Sequence, residues 1–74
     1  MEFGSQVKVM RALRNITQNA LADKIGISRV RVWFVENGME PDEGLREQIK
    51  AALGPWPADE TFNALECAQV VEQA

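Results

Sequence analysis

Four neighbouring side chains combine one guanidinium with three apolar groups on a single predicted helix face. Their spacing places them opposite Val32 and Val35, which lie three residues apart on the predicted buried side of the helix. A guanidinium can donate two hydrogen bonds to guanine O6 and N7, and a valine can contact a thymine methyl group. This chemistry suits the recognition of base edges in a major groove. The four candidates are Arg29, Val30, Trp33 and Phe34.

Polar side chains at both ends of the same helix could hold a DNA backbone. Hydroxyl, amide and guanidinium groups donate hydrogen bonds to phosphate oxygens, as do the backbone N–H groups at a helix N-terminus. We therefore expect phosphate contacts from Ser28, Arg31 and Asn37, and from the N–H groups near Ser28.

Two short predicted helices position these groups. Thr17 and Ser28 can cap the two helices with their hydroxyl groups. Gly26 supplies the turn between the helices, and Gly38 falls where a left-handed residue would end the second one. The inward face of the first helix is made of Leu21, Ala22 and Ile25. This layout is typical of a helix-turn-helix.

The segment from Val7 to Gly54 resembles the lambda-repressor-like family, which includes phage repressors, Cro proteins and small bacterial regulators. The family pattern has an arginine seven residues before a glutamine, then Gln-x-x-Leu-Ala, a Gly-apolar-Ser/Thr turn, and a glutamate two residues before a closing glycine. The matching residues here are Arg11, Gln18, Leu21-Ala22, Gly26-Ile27-Ser28 and Glu36-Asn37-Gly38. The resemblance implies a compact all-α domain of five helices, with the helix-turn-helix at helices 2 and 3.

The resemblance also implies roles for three residues. In the family, the positions of Arg11 and Glu36 form an ion pair between the first helix and the end of the third, which would fix the tilt of the reading helix. The glutamine at the position of Gln18 clamps a phosphate or supports a base-reading side chain. From its residue type alone, Gln18 could instead be a polar residue at a helix start that binds no ligand.

The rest of the chain predicts three more helices within a single domain that spans residues 1–74. The first helix runs over about 6–14, and the fourth begins near Pro41-Asp42 and stops at Gly54. A fifth helix is predicted over about 58–71, after a break in the chain at two prolines.

The C-terminal region 58–74 is a candidate dimerisation element. Its predicted helix has an apolar face, and a domain of this size offers little core to bury that face. We therefore expect a two-fold homodimer that places two reading helices about one DNA turn, roughly 34 Å, apart on a palindromic site. The expected interface residues are Phe62, Leu65, Ala68 and Val71.

The formal charge of the chain, −3 at pH 7, is distributed unevenly. Residues 1–38 carry six cationic and three acidic side chains, whereas residues 39–74 carry two cationic and eight acidic ones. The half that contains the predicted motif is therefore the basic half. Since DNA affinity depends on local neutralisation of phosphates, a net-acidic protein can still bind DNA through one basic face.

The composition does not indicate catalysis, metal binding or a membrane span. The chain has no histidine, a single cysteine at Cys67 and no glycine-rich phosphate loop. It therefore offers no nucleophile paired with a base, no cofactor motif and no recognisable zinc-ligand cluster. Its apolar residues form clusters far shorter than the roughly 18 residues that a membrane helix needs. We expect a cytoplasmic protein that is not an enzyme and needs no cofactor.

Residues 1–5 read Met-Glu-Phe-Gly-Ser, and Glu-Phe and Gly-Ser are the translations of two common cloning sites. These residues are either a vector-derived segment or a native start in which Ser5 caps the first helix and Phe3 packs beside it. We assign them no functional role.

Two features favour an alternative in which the same fold binds a protein. The segment 39–43 carries three carboxylates, which would weaken a phosphate contact at that point. Trp33 and Phe34 are adjacent, so one apolar stripe cannot bury both rings. An outward ring could contact DNA or a partner protein, and a ring at the core edge could have a purely structural role.

The predicted function is that of a small phage- or bacterial-type transcriptional regulator that binds double-stranded DNA as a homodimer. It would repress by occupying an operator and excluding polymerase or a competing regulator. The alternative is a protein-interaction module, such as an antitoxin or anti-regulator, that presents Trp33 and Phe34 to its partner.

Overall fold

The computed structural model describes residues 1–64, in which four helices are complete and a fifth begins. The complete helices are α1 (Phe3–Arg14), α2 (Gln18–Ile25), α3 (Arg29–Glu36) and α4 (Glu43–Leu53). The fifth, α5, begins at residue 59 and is helical up to residue 64. Residues 1–64 contain no strand, and the predicted all-α class with five helices is confirmed. Outside the described residues lie Leu65, Cys67, Ala68 and Val71.

Side-chain caps determine where α2, α3 and α4 begin. In each case a side-chain oxygen of the preceding residue accepts a hydrogen bond from a backbone N–H that the helix itself leaves without a partner. The pairs are Thr17 with Ala20 at 3.0 Å, Ser28 with Arg31 at 3.2 Å and Asp42 with Leu45 at 2.7 Å. The caps predicted at Thr17 and Ser28 are confirmed.

Left-handed residues end the first three helices and let the chain turn. After α3, the N–H of Met39 donates to the carbonyl of Phe34 at 2.9 Å. The N–H of Gly38 donates to the carbonyl of Val35 at 3.4 Å, which completes a Schellman arrangement with glycine at its left-handed position. The φ angles of the three left-handed residues are 56° at Asn15, 79° at Gly26 and 114° at Gly38.

The first helix begins earlier than the sequence predicts, at Phe3 instead of Gln6. Ser5 therefore lies inside the helix and does not cap it, since Glu2 occupies the cap position without a side-chain hydrogen bond. Phe3 stacks on Trp56, with 5.6 Å between ring centroids and 26° between ring planes. The first turn of α1 is thus held by a residue beyond α4, a contact that local spacing cannot reveal.

One hydrophobic core joins the helices. The small side chain of Ala22 is buried on α2, and Val32 and Val35 are buried on α3, as the sequence predicts. None of the helices within residues 1–64 has both the length and the apolar character of a membrane span. The buried apolar residues are Val7, Val9, Met10, Leu21, Ala22, Val32, Val35, Leu45, Ile49, Leu53 and Phe62.

Phe62 belongs to the core of the single chain and not to a dimer interface. Its side chain is fully buried, and its ring centroid lies 5.6 Å from that of Trp56, which in turn stacks on Phe3. The interface predicted for Phe62 is therefore wrong. Phe62 belongs to the same buried cluster as residues of α1 to α4, and the apolar stripe of a single helix does not show this.

Gly4 allows α1 to approach α3 closely. A Cβ atom at this position would overlap the carbonyl oxygen of Val35 and lie 3.1 Å from the backbone of Glu36. The N-terminal end of α1 is therefore seated directly on the last turn of α3, which helps to set the orientation of that helix.

We predict that Gly4→Ala destabilises the fold by about 1–3 kcal/mol, the usual cost of forcing an extra group into a packed contact. Gly44→Ala is the matched control, because a Cβ there lies at an ordinary 3.7 Å from a side-chain oxygen of Asp42. The control should gain up to about 1 kcal/mol from the better helix propensity of alanine. Urea unfolding measures both changes. Equal effects of the two substitutions would contradict the close approach of α1 to α3.

Candidate nucleic-acid interface

The helix α3 has one buried side and one exposed side. The exposed side carries Val30, Trp33 and Phe34, which expose 52, 46 and 49 % of their surface. Both aromatic rings therefore lie outside the core, and neither serves to cover its edge. The buried side consists of Val32, Val35 and Glu36, none of them more than 4 % exposed.

The exposed face of α3 is apolar at its centre and cationic at its edges. At about 100° of rotation per residue, Val30 and Phe34 lie together at the centre, one helical turn apart. Arg29 and Trp33 lie along one edge and Arg31 along the other, and both arginines are exposed. The structure thus brings together on one surface the four residues predicted to face base edges.

Trp33 and Phe34 form an aromatic pair on this surface. Their ring centroids are 5.2 Å apart and their planes meet at 81°, the edge-to-face geometry that aromatic rings favour. The side-chain amide of Asn37 donates to the carbonyl of Trp33 at 2.8 Å and so caps the end of the helix. That amide nitrogen has a second hydrogen, which is the donor left for the phosphate contact expected of Asn37.

Behind the exposed face, the buried carboxylate of Glu36 forms a bidentate ion pair with Arg11. The Nε of Arg11 donates to Oε2 at 2.6 Å, and its Nη2 donates to Oε1 at 3.0 Å. The Nη1 of the same guanidinium donates to the carbonyl of Ile16 at 3.0 Å. The ion pair implied by the family resemblance is therefore present, and it ties the end of α3 to α1 and to the loop after α1.

Gln18 joins the same cluster from the first turn of α2. Its Nε2 donates to Oε1 of Glu36 at 3.1 Å, so α2 is also tied to the end of α3. A phosphate contact from this nitrogen would have to share the amide with Glu36. Helix capping is carried out by Thr17 and not by Gln18. In the free chain, Gln18 therefore supports the end of α3 through Glu36, whereas the role implied by the family is support of a base-reading side chain.

Ser28 and Arg31 lie in the first turn of α3 or directly before it. The Oγ of Ser28 accepts the backbone hydrogen bond that caps the helix, while its own hydroxyl hydrogen remains a donor. The side chain of Arg31 is exposed. Both groups are accessible near the N-terminal end of α3, where Arg29 is also exposed.

Exposed charges differ in sign between the motif and the segment that follows it. The exposed charged residues of α2 and α3 are Asp23, Lys24, Arg29 and Arg31, three cations and one acid. Exposed acids gather before and on α4, at Glu40, Asp42, Glu43 and Glu47. Glu40, the acid closest in sequence to α3, lies 3.5 Å from the guanidinium of Arg46. The acidic segment is therefore partly neutralised within the chain.

Two polar contacts that the sequence did not reveal join α1 to α4 and to the segment that follows α4. Arg14, in the last turn of α1, donates through Nε to the carbonyl of Leu53 at 2.9 Å and caps the end of α4. Buried Gln6 accepts a hydrogen bond from the indole nitrogen of Trp56 at 3.4 Å. A basic residue near a helix end is a known capping signal, but the carbonyl that Arg14 caps belongs to another helix.

Comparison with known protein families identifies the fold of this segment. A family model described as helix-turn-helix matches residues 7–54, which is more than half of the chain. No curated protein sequence and no solved structure matches the chain. The matched range begins within α1 and ends directly after α4, so it contains the whole Arg11, Gln18 and Glu36 cluster.

We predict that Glu36→Gln destabilises the domain by about 3 kcal/mol, because Arg11 would keep its charge in a partly buried place without a carboxylate. Glu40→Gln is the matched control, since its ion pair with Arg46 is exposed and such pairs contribute about 0–1 kcal/mol. Urea unfolding of the two variants measures the difference. If Glu36→Gln were as mild as Glu40→Gln, the buried pair would not hold α3 in place.

Proposed function

The chain belongs to the lambda-repressor-like helix-turn-helix family of DNA-binding regulators, and from this premise we propose that it binds specific sequences of double-stranded DNA through α3. The observation that carries the proposal is the two-sided character of this helix. One side is anchored in the core by Glu36, while the other presents Arg29 and an apolar surface to the outside. A helix held in this way can enter a major groove without rearranging.

Base recognition in this proposal begins with Arg29. It is the first residue of α3, and the N-terminal residues of a recognition helix are the ones that meet base edges. Its guanidinium would donate two hydrogen bonds to O6 and N7 of a guanine, a contact that discriminates against other bases by about 1–3 kcal/mol. Val30, Trp33 and Phe34 would lie against the bases beside it.

Phosphate contacts would fix the register of α3 in the groove. Arg31, the hydroxyl of Ser28 and the second amide hydrogen of Asn37 supply donors at both ends of the helix. Gln18 would support the arrangement through its hydrogen bond to Glu36. These contacts would add affinity without sequence preference, because every nucleotide carries the same phosphate.

We further propose that the chain acts as a homodimer on a palindromic operator. The eight residues of α3 form a rod about 12 Å long, which covers only about three to four base pairs. Two copies related by two-fold symmetry would read two such half-sites, one DNA turn apart. The interface would involve the residues beyond 64 that continue the apolar stripe of the predicted fifth helix, namely Leu65, Ala68 and Val71.

The regulatory effect in this proposal is steric repression. A dimer of this kind on an operator would exclude polymerase or a competing regulator from the same stretch of DNA. The work would be done in the cytoplasm, where a bacterial or phage genome is transcribed. The family is not one of enzymes, and no catalytic step is part of the mechanism.

Selection of bound duplexes from a random-sequence pool tests the function directly. We predict that the wild-type chain enriches an inverted repeat with half-site centres about 10 base pairs apart. Arg29→Ala should lose the preference at one position of each half-site and keep its weak binding to unselected DNA. Arg31→Ala is the matched comparison, because loss of a phosphate contact should weaken binding to all sequences and lower its salt dependence.

Failure to enrich any sequence would contradict specific DNA binding. An enriched single half-site would contradict the dimer alone. Arg29→Ala could instead behave like Arg31→Ala and lose its specific and its non-specific affinity to the same extent. In that case Arg29 would be a phosphate ligand and its assignment to a base would be wrong.

The second candidate function, a protein-interaction module such as an antitoxin or anti-regulator, is favoured by the exposure of Trp33 and Phe34. Large exposed apolar side chains often mark protein-binding surfaces, and aromatic residues are enriched among the residues that dominate binding energy. The cationic edges of the same face and the family membership favour DNA as the ligand.

Trp33 separates the two candidate functions. We predict that a duplex with the selected site changes the fluorescence of Trp33, measured in a Trp56→Phe variant that retains an aromatic ring beside Phe3. Trp33→Ala should weaken DNA binding by about 1–3 kcal/mol and leave thermal stability nearly unchanged, because the ring is half exposed. Unchanged DNA binding with loss of a stoichiometric protein partner would favour the interaction module instead.

A further inference from the structure

The centre of the exposed face of α3 cannot form hydrogen bonds to bases. Val30 and Phe34 occupy this centre, and neither side chain has a donor or an acceptor. The guanidinium groups of Arg29 and Arg31 lie at the edges of the face, one on each side. Any discrimination between bases at the centre must therefore come from apolar contact.

Major-groove base edges offer one apolar group to such a surface. This group is the methyl on C5 of thymine, which cytosine lacks unless it is methylated at the same carbon. A methyl group that contacts valine and phenylalanine leaves water on binding, which favours the complex by roughly fourfold in affinity for each methyl group. A site without these methyl groups would leave the apolar centre facing polar base edges.

Resting on the proposed function, we propose that α3 selects DNA by the C5-methyl groups of pyrimidines that face Val30 and Phe34. The ligand is double-stranded DNA with thymines at the centre of each half-site, flanked on one side by the guanine that Arg29 contacts. The specificity is for the methyl group and not for the thymine ring, so 5-methylcytosine at the same position satisfies the site.

The local structure prepares the face for this contact. Trp33 meets Phe34 edge to face, and the end of α3 is closed by the hydrogen bond from Asn37 to the Trp33 carbonyl. The centre of the face is therefore arranged before DNA arrives, and less conformational entropy is lost on binding.

Charge favours nucleic acid over protein as the occupant of this face. Lys24, Arg29 and Arg31 are exposed on the motif, and the carboxylate of Glu36 is buried in its pair with Arg11. An apolar centre between cations matches a groove whose floor carries methyl groups and whose walls carry phosphates.

The test uses three random-sequence duplex pools that differ only in their pyrimidine methyl groups. The first contains dT and dC, the second contains dU and dC, and the third contains dU and 5-methyl-dC. Each pool is selected with the wild-type chain, with Phe34→Ala and with Leu13→Ala. Leu13 is the matched control because it is also an exposed apolar residue, at 56 %, but lies on α1.

We expect the enriched base at the central positions to follow the methyl group. The first pool should give dT there, the third should give 5-methyl-dC, and the second should give no preference at these positions. In the site from the first pool, each central dT replaced by dU should weaken binding about fourfold. Phe34→Ala should lose this preference, whereas Leu13→Ala should keep it.

If the second pool enriched dU at the central positions where the first pool enriches dT, the methyl proposal would be overturned and specific DNA binding would stand. An unchanged preference for thymine at the central positions in Phe34→Ala would also overturn the methyl proposal. Thermal unfolding of the variant checks that it is folded. Absence of enrichment in all three pools would contradict the proposed DNA-binding function, and with it the methyl readout.

Discussion

The buried ion pair between Arg11 and Glu36 is the interaction on which the rest of the structure depends. A carboxylate that is almost fully buried is tolerated only when it is paired and hydrogen-bonded, and Glu36 accepts from Arg11 twice and from Gln18 once. These partners lie on α1 and on α2, while Glu36 ends α3. One carboxylate therefore joins three helices, and we propose that it fixes the tilt of α3 against the other two.

The two sides of the eight-residue helix α3 therefore differ in role. Val32, Val35 and Glu36 fix α3 from behind, so the outer side chains are free from packing in the core. That freedom explains why three large apolar groups can remain exposed in a domain whose core is small. In a family of DNA-binding regulators, we propose that such a face contacts the ligand, and its apolar centre sets it apart from a face built on polar side chains.

The features that sequence could predict are those set by neighbours in the chain. Thr17, Ser28 and Gly38 act on backbone groups within a few residues, so their caps and turns follow from residue type and spacing. The pair of Arg11 with Glu36 was accessible only through the family pattern. Phe62 was misassigned because it belongs to a core cluster shared with residues of the other helices, which the pattern of its own helix does not show. For the same reason, spacing could not show that Arg14 caps α4. Spacing placed Trp33 and Phe34 opposite Val32 and Val35, but it left open whether one ring covers the edge of the core.

A map of amide chemical-shift changes in the protein on addition of a duplex would show directly which helix contacts DNA. We expect the largest changes on the exposed side of α3, at Arg29, Val30, Trp33 and Phe34, and at the start of α2 near Gln18. Residues on the acidic surface of α4, such as Glu43 and Glu47, should change little. Changes centred on α4, or changes of equal size over all helices, would contradict the proposal that α3 is the DNA-reading element.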